Sequence, residues 1–396
     1  MTTEGPGRLS SRTQSFTESV IREMTRLNLA LNGPERAVNF AQGFPDFPPP
    51  EEIVAAAHEA LDGDPSLHQY STTWGASRLR TAIAAAKSQQ WGRPVDPETM
   101  VTVTCGATEA MIAAMLAIVE PGDEVVIFEP HYENYGPDCV ISGAIPRSVH
   151  LREPDWTFDP AEVERAFTSR TRAVVINTPH NPTGKVFTRA ELTFVADLCR
   201  RYGAIAITDE IYERLVYQGE HVSMATLPGM EDRTITISGA SKTFSVTGWR
   251  VGWVVAPPDL TAGIRQVHDF LTVGAAHPLQ MAVAAALELP EDFYSGLVAS
   301  YRQRRDLLVG GLSELGFQVR PPAGAYYVMA GISGVTAASA ERFARELIQG
   351  CAVATVPGTS FYTDPGLGRA TLRFSFPKRP DTITRGLNSL RGYLNP

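Results

Sequence analysis

Apolar residues recur along this 396-residue chain in two rhythms. Compact runs rich in valine and isoleucine predict buried strands at Met100–Thr104, Glu124–Phe128, Arg172–Ile176, Ala204–Thr208 and Ile235–Ile237. Spacings of three and four predict helices at Phe16–Leu31, Pro50–Leu61, Ser77–Gln90, Glu109–Val119 and Arg189–Tyr202. In the last of these, Leu192, Val195, Leu198 and Cys199 share one face. Strands this apolar, separated by helices, point to an α/β fold whose mostly parallel sheet is covered on both faces. The rhythm changes after residue 285. A long helix, Asp292–Leu315, leads into strand-like segments at Phe317–Arg320, Ala325–Met329, Ala352–Val356 and Thr371–Phe376, with a helix at Ala340–Gly350. The expected division is an N-terminal arm (1–49, its first 14 residues a polar tail) joining a small α+β domain (286–396), with a large domain (50–285) between.

The polar residues fall at telling places. Gly106–Thr108, Tyr132, Asn181, Asp209, Tyr212 and Lys242 each follow a strand run, on its carboxyl side. In open α/β sheets that edge is where ligands bind. Two irregular stretches stand apart from the alternation: the proline-rich Asn39–Pro50, which contains Gly43, and His68–Gly75, which contains Tyr70. The segment Ile235–Trp253 carries the densest chemistry. Its strand breaks into Ser238-Gly239-Ala240-Ser241 and delivers Lys242, and eight residues on stands Arg250, between Gly248 and Gly252. A lysine among small and apolar neighbours is poorly solvated and easier to deprotonate, the state an amine needs to attack a carbonyl and hold a Schiff base. An arginine beside it can clamp a dianionic phosphate.

Charge narrows the choice of partners. The chain has net charge −8 and no basic stripe interleaved with aromatics, which excludes nucleic acid and anionic membrane surfaces as expected partners. Cys105, Cys139, Cys199 and Cys351 are scattered, with no CxxC pair and no metal-ligand spacing, so no metal is expected and a reducing compartment is. No apolar run is long enough to span a bilayer and the N-terminus has no apolar signal core, so the expected location is cytoplasmic.

Seven motifs in order then carry a resemblance. They are QGFPDFPPP (from Gln42), NPTGKVF (from Asn181), TDEIYE (from Thr208), SKTFSVTGWRVGW (from Ser241), PPAGAYY (from Pro321), VPGTSF (from Val356) and LRFSF (from Leu372). With them the chain resembles a fold-type I, pyridoxal 5'-phosphate-dependent class I aminotransferase, most similar to the kynurenine/glutamine aminotransferase and cysteine-conjugate β-lyase group. The resemblance implies a seven-stranded, mostly parallel large-domain sheet. It makes Lys242 the Schiff-base lysine and proton carrier, Asp209 the carboxylate under the pyridine nitrogen, and Tyr212 and Asn181 the donors to the ring oxygen. Tyr132 corresponds to the aromatic stacked on the ring. Gly106, Ala107, Thr108 and Arg250 correspond to the phosphate cradle, with Ser238 and Ser241 both available as the hydroxyl near the lysine. Arg373, assisted by Gly43 and Asn181, corresponds to the anchor of the substrate α-carboxylate. Tyr70 corresponds to a tyrosine reaching the phosphate from the neighbouring subunit of a homodimer. The implied reaction moves an amino group between an L-amino acid and a 2-oxo acid. β-Elimination or decarboxylation of a cysteine conjugate is the alternative on the same scaffold, and a non-catalytic effector-binding protein a more distant one. Val273-Gly274-Ala275-Ala276-His277-Pro278 departs from the relatives; its small residues imply a roomier pocket, and so large neutral, aromatic or sulfur-bearing substrates. His58, His150, His180, His221 and His268 read as structural or surface groups.

Overall fold

The computed structural model describes residues 9–395 except 17 and 365. The first eight positions of the expected polar tail lie outside the described residues; Ser11–Gln14 forms a single 3-10 turn. A helix from Val20 to Arg36, kinked at Gly33, precedes the two-residue strand β1 (Val38–Asn39). Seven strands follow: β2 (Val101–Thr104), β3 (Glu124–Glu129), β4 (Ile145–His150), β5 (Thr171–Asn177), β6 (Ile205–Asp209), β7 (Thr234–Gly239) and β8 (Gly252–Val255). They form one sheet in the order β2-β8-β7-β6-β5-β3-β4, parallel except that β8 runs against both neighbours.

Alternation along the strands explains the layering. Val125 and Ile127 face one core with Ile207, Ile235 and Ile237. Val126 and Phe128 face the opposite core with Val174, Ile176 and Ala206. Both faces are apolar because helices cover both, Ala107–Ile118 on the first and Arg189–Tyr202 on the second. The Arg189–Tyr202 helix has the bounds its pattern predicts. Thr188 and Glu191 close a reciprocal capping box at its start, and Gly203 turns left-handed at its end (φ 70°).

Beyond a 24-residue helix, Glu291–Glu314, lies a second sheet. Its strands are β9 (Gln318–Val319), β10 (Tyr327–Gly331), β12 (Val356–Pro357) and β13 (Thr371–Ser375), antiparallel in the order β12-β13-β10-β9. The remaining strand, β11 (Val353–Ala354), pairs in parallel with β1. The buried Asn28 bolts this junction by donating to the carbonyls of Val38 and Ala352. The N-terminal segment is thus paired with the C-terminal part of the chain rather than with the large sheet.

Two features of the topology place the site. Connections leave β3 and β5 toward opposite sides of the large sheet, β3 to β4 and β5 to β6, which makes the β3/β5 edge a switch point and opens a crevice beyond their carboxyl ends. The reversal at β8 folds the segment between β7 and β8 back on itself, with Gly239 opposite Gly252, and so returns Arg250 toward Lys242. Among the described residues, no helix is long and apolar enough to cross a membrane. All four cysteines are free, three of them buried.

Candidate active site

A cavity of about 810 Å³ opens over the carboxyl edge of the large sheet, within the size range of ligand sites. Lys242 reaches it from the first turn after β7. Its Nζ lies 3.4 Å from the Gly43 carbonyl oxygen and 5.7 Å from the centre of the Tyr326 ring. Burial pushes its ammonium down to about 8, Arg250 and Arg373 push the same way, and Asp209 partly opposes them. A buried amine with a pKa this near neutrality can both attack a carbonyl and carry a proton.

Asp209 ends β6 and enters the same cavity. Its Oδ2 accepts from the Tyr135 hydroxyl at 2.8 Å and its Oδ1 from the Ile211 amide at 3.2 Å, while Asn177 donates to its backbone carbonyl at 2.8 Å. Burial pushes this carboxyl up; the Tyr135 and Ile211 donors and the nearby Lys242 pull it back toward the ionised form. The Tyr212 hydroxyl, 3.0 Å from that of Tyr327, lines the cavity as well. Burial holds both phenols protonated.

At the other end Ala107 opens a 12-residue helix, with Thr108, Ser241 and Arg250 around the cavity. Gly106 (φ 83°) is required twice. Its conformation is left-handed, and a Cβ there would overlap the Arg250 guanidinium. A Cβ on Gly252 would collide with the Gly106–Ala107 backbone in turn. Arg250 is itself left-handed (φ 54°) and donates to the Thr247 carbonyl, which leaves further guanidinium hydrogens for an anion. Helix amides, two hydroxyls and a guanidinium make a cradle for a phosphate.

Arg373 is completely buried, on β13. It donates to Asn181 Oδ1 at 2.9 Å and to the Ala41 carbonyl at 2.6 Å, and lies between the rings of Tyr327 (4.4 Å) and Phe361 (4.8 Å). Its Nε has no partner, a free donor at a site lining the cavity. The contact with Arg373 occupies the Asn181 oxygen, so the amide NH2 of Asn181 remains available to donate. Gly43 sits beneath Tyr327, where any Cβ would overlap the phenol oxygen, and Tyr326 donates to its carbonyl at 2.7 Å.

The structure therefore gathers Gly43, Ala107, Thr108, Tyr132, Asn181, Asp209, Tyr212, Ser241, Lys242, Arg250 and Arg373 around one cavity, with Gly106 beneath Arg250. Two expected residues stand elsewhere. Ser238 donates to Glu213 at 2.8 Å and does not line the cavity, because it lies within β7, before the turn that carries Ser241. Tyr70 is 86% exposed, in the loop after Pro65–His68, and does not reach the cavity of its own chain. The small residues of 274–276 do not line the cavity either: His277 and Pro278 open a helix, and Leu271 and Thr272 take the place at the wall. Tyr135, Tyr326 and Tyr327 are participants that sequence reasoning missed. The signal was present, Tyr135 three residues after Tyr132 and the other two inside PPAGAYY, but nothing local tells a site tyrosine from a core one.

The fold agrees with the comparisons. The family model for aminotransferase class I and II matches residues 35–390, and the chain belongs to that family. It is a pyridoxal-phosphate-dependent aminotransferase of fold type I, acting on amino acids and oxo acids. It is 39% identical to a probable N-succinyldiaminopimelate aminotransferase of Mycobacterium tuberculosis, over 96% of this chain and 97% of the relative. It is 36% identical to kynurenine–oxoglutarate transaminase 1 of Homo sapiens, over 87% of this chain and 90% of the relative. The solved N-succinyldiaminopimelate aminotransferase from Mycobacterium tuberculosis superposes with a TM-score of 0.93 at 38% identity, covering 97% of this chain and all of that one. An Escherichia coli protein identified as a methionine aminotransferase gives 0.91 at 33%, covering 98% of this chain and all of that one.

Proposed function

We propose that Lys242 is the catalytic base of this aminotransferase and the residue that binds pyridoxal phosphate covalently. The observation that carries the reading is a buried, easily deprotonated amine set among a carboxylate, an anion cradle and a buried arginine. The residues present fit the cofactor. Ala107, Thr108, Ser241 and Arg250 would hold its phosphate, Tyr132 its ring face, Asp209 its ring nitrogen, and Tyr212 and Asn181 its ring oxygen. When bound, the cofactor supplies an electron sink for the substrate's Cα.

The protein's own part is orientation and proton transfer. Arg373 pairs with the substrate α-carboxylate, with the Asn181 amide and the Gly43 backbone beside it, and so fixes which Cα bond faces Lys242. As a free, unprotonated amine Lys242 would take the Cα proton, hold it as the ammonium and return it two atoms away, a 1,3 shift. Asp209, held in place by Tyr135 and the Ile211 amide, would keep the ring nitrogen protonated.

The reading extends to a homodimer, a cytoplasmic location and the division into arm, large and small domains. Tyr70, exposed on its own chain, supplies the phosphate contact of the partner site, and the pairing of β1 with β11 supports joining the arm to the small domain. For substrates, large neutral, aromatic or sulfur-bearing amino acids fit best, supported by the cavity volume and by Met111, Ile112, Tyr132 and Tyr327 in its wall. The test is a panel of aspartate, phenylalanine, methionine and a bulky cysteine S-conjugate, scoring oxo acid, pyruvate and carbon dioxide separately. Oxo acid from phenylalanine and methionine ahead of aspartate is expected. A clear preference for aspartate overturns the substrate class, and pyruvate from the conjugate with little oxo acid from the others moves the enzyme to a carbon–sulfur lyase.

A further inference from the structure

The segment Asp209–Glu213 faces two ways. Asp209, Ile211 and Tyr212 line the active-site cavity, whereas Glu210 and Glu213 point into the protein behind it. There they meet Lys87, a lysine on the helix Ser77–Trp91 that is 3% exposed. Lys87 Nζ lies 2.6 Å from Glu213 Oε2 and 3.6 Å from Glu210 Oε2, and also donates to Gln90 Oε1 at 2.9 Å. Each carboxylate holds a further part of the scaffold. Glu213 Oε1 accepts from the Ser238 hydroxyl at 2.8 Å, on the strand that delivers Lys242. Glu210 accepts from Thr208 (3.0 Å), Ser223 (2.8 Å) and His221 (3.0 Å).

Two more contacts place this cluster directly behind the reacting groups. Gly239 packs so closely on Ile211 that a Cβ there would lie 3.2 Å from its Cδ1. A small, partly open pocket is lined by Lys87, Glu213, Ser238, Gly239 and Thr243, the last adjoining Lys242. Glu210, Glu213 and His221 lie close enough together to suggest a metal site. The Lys87 ammonium already fills the cation's role.

We infer that Lys87 is a positioning residue for the transamination. As the buried cation between Glu210 and Glu213, it locks the turn carrying Asp209 and Tyr212 to the strand carrying Lys242. This rests on the assignment of those three residues to the reacting centre. A side chain that contacts no substrate then acts on rate through register: a misplacement of about 1 Å at a reacting group can cost ~10²-fold.

The test compares Lys87→Met and Lys87→Arg in the cofactor-loaded enzyme, with turnover expressed per loaded site. A second variant, Lys87→Met with Glu213→Gln, removes one charge of each sign and keeps the test open if the single variant fails to fold. For the Met variants, a fall in kcat of roughly ten- to hundredfold is expected, with KM for the amino acid within about threefold. The pH midpoint of the enzyme's visible absorption should move as well, and Lys87→Arg should recover most of both. Lower thermal stability or lower cofactor occupancy with normal kcat per loaded site and an unmoved midpoint overturns the inference. Lys242→Ala, run alongside, separates the two readings. Turnover surviving in Lys242→Ala defeats the reacting centre itself, whereas a dead Lys242→Ala beside a fast Lys87→Met defeats only the positioning role.

Discussion

Gly106→Ala probes the anion cradle without removing any group that donates to the anion. The added methyl meets the Arg250 guanidinium directly, at a residue whose φ is 83°. At φ 83° and ψ 167° the backbone is in a region essentially reserved for glycine, and holding an alanine there costs about 1–3 kcal/mol. The larger effect comes from displacing Arg250. A hydrogen bond to a charged partner contributes about 1.5–3 kcal/mol, which converts to roughly 10- to 150-fold in affinity. Titrating cofactor-free protein with pyridoxal phosphate should therefore give a dissociation constant higher by at least about tenfold. Gly33→Ala is the control. Gly33 has nearly the same backbone (φ 69°, ψ 165°), at the kink of the Val20–Arg36 helix, but a Cβ there meets nothing within 4 Å. It incurs similar strain and should leave cofactor affinity unchanged. Binding by Gly106→Ala within twofold of the parent, or equal weakening by Gly33→Ala, refutes the assignment of Arg250 to the phosphate.

Arg373→Lys keeps the charge but loses the planar fork, so kcat/KM for amino acid donors should fall about tenfold or more while cofactor affinity holds; an unchanged kcat/KM would remove Arg373 from carboxylate binding. In cofactor-free protein, acylation of Lys242 should rise with pH about a midpoint near 8, since burial and the two arginines disfavour the ammonium. Arg250→Met should move that midpoint up and Asp209→Asn should move it down, because the first removes a repelling charge and the second an attracting one; no movement in either would show the perturbation to be burial alone. Mixing Tyr70→Phe with Lys242→Ala should restore one complete site per mixed dimer, and no recovered activity would rule out a cross-subunit role for Tyr70.

Much of the fold was legible because its strands are short apolar runs and its best helix carries both of its end signals, Thr188 with Glu191 and then Gly203. What escaped was amphipathic or polar for reasons of position. Strand β4, Ile-Pro-Arg-Ser-Val-His, lies at a sheet edge with half-exposed side chains, so no apolar run marks it. Helices Pro258–Leu271, His277–Leu287 and Pro380–Leu394 each begin at or beside a proline, which at the first turn starts a helix but read along the chain looks like a break. In the site, the cavity groups that follow strand ends were visible as a pattern. The choice between Ser238 and Ser241 was not, since it depends on where β7 stops, and Gly239 is its last residue. The link from Lys87 to Glu213 spans 126 positions and has no local signature at all.

Reduction of the cofactor-loaded enzyme with borohydride, followed by peptide mapping, tests the central assignment most directly. A single pyridoxyl label is expected, on Lys242, with loss of the visible absorption on reduction. A label on Lys185, Lys87 or Lys378, or no label on a fully loaded enzyme, would contradict it.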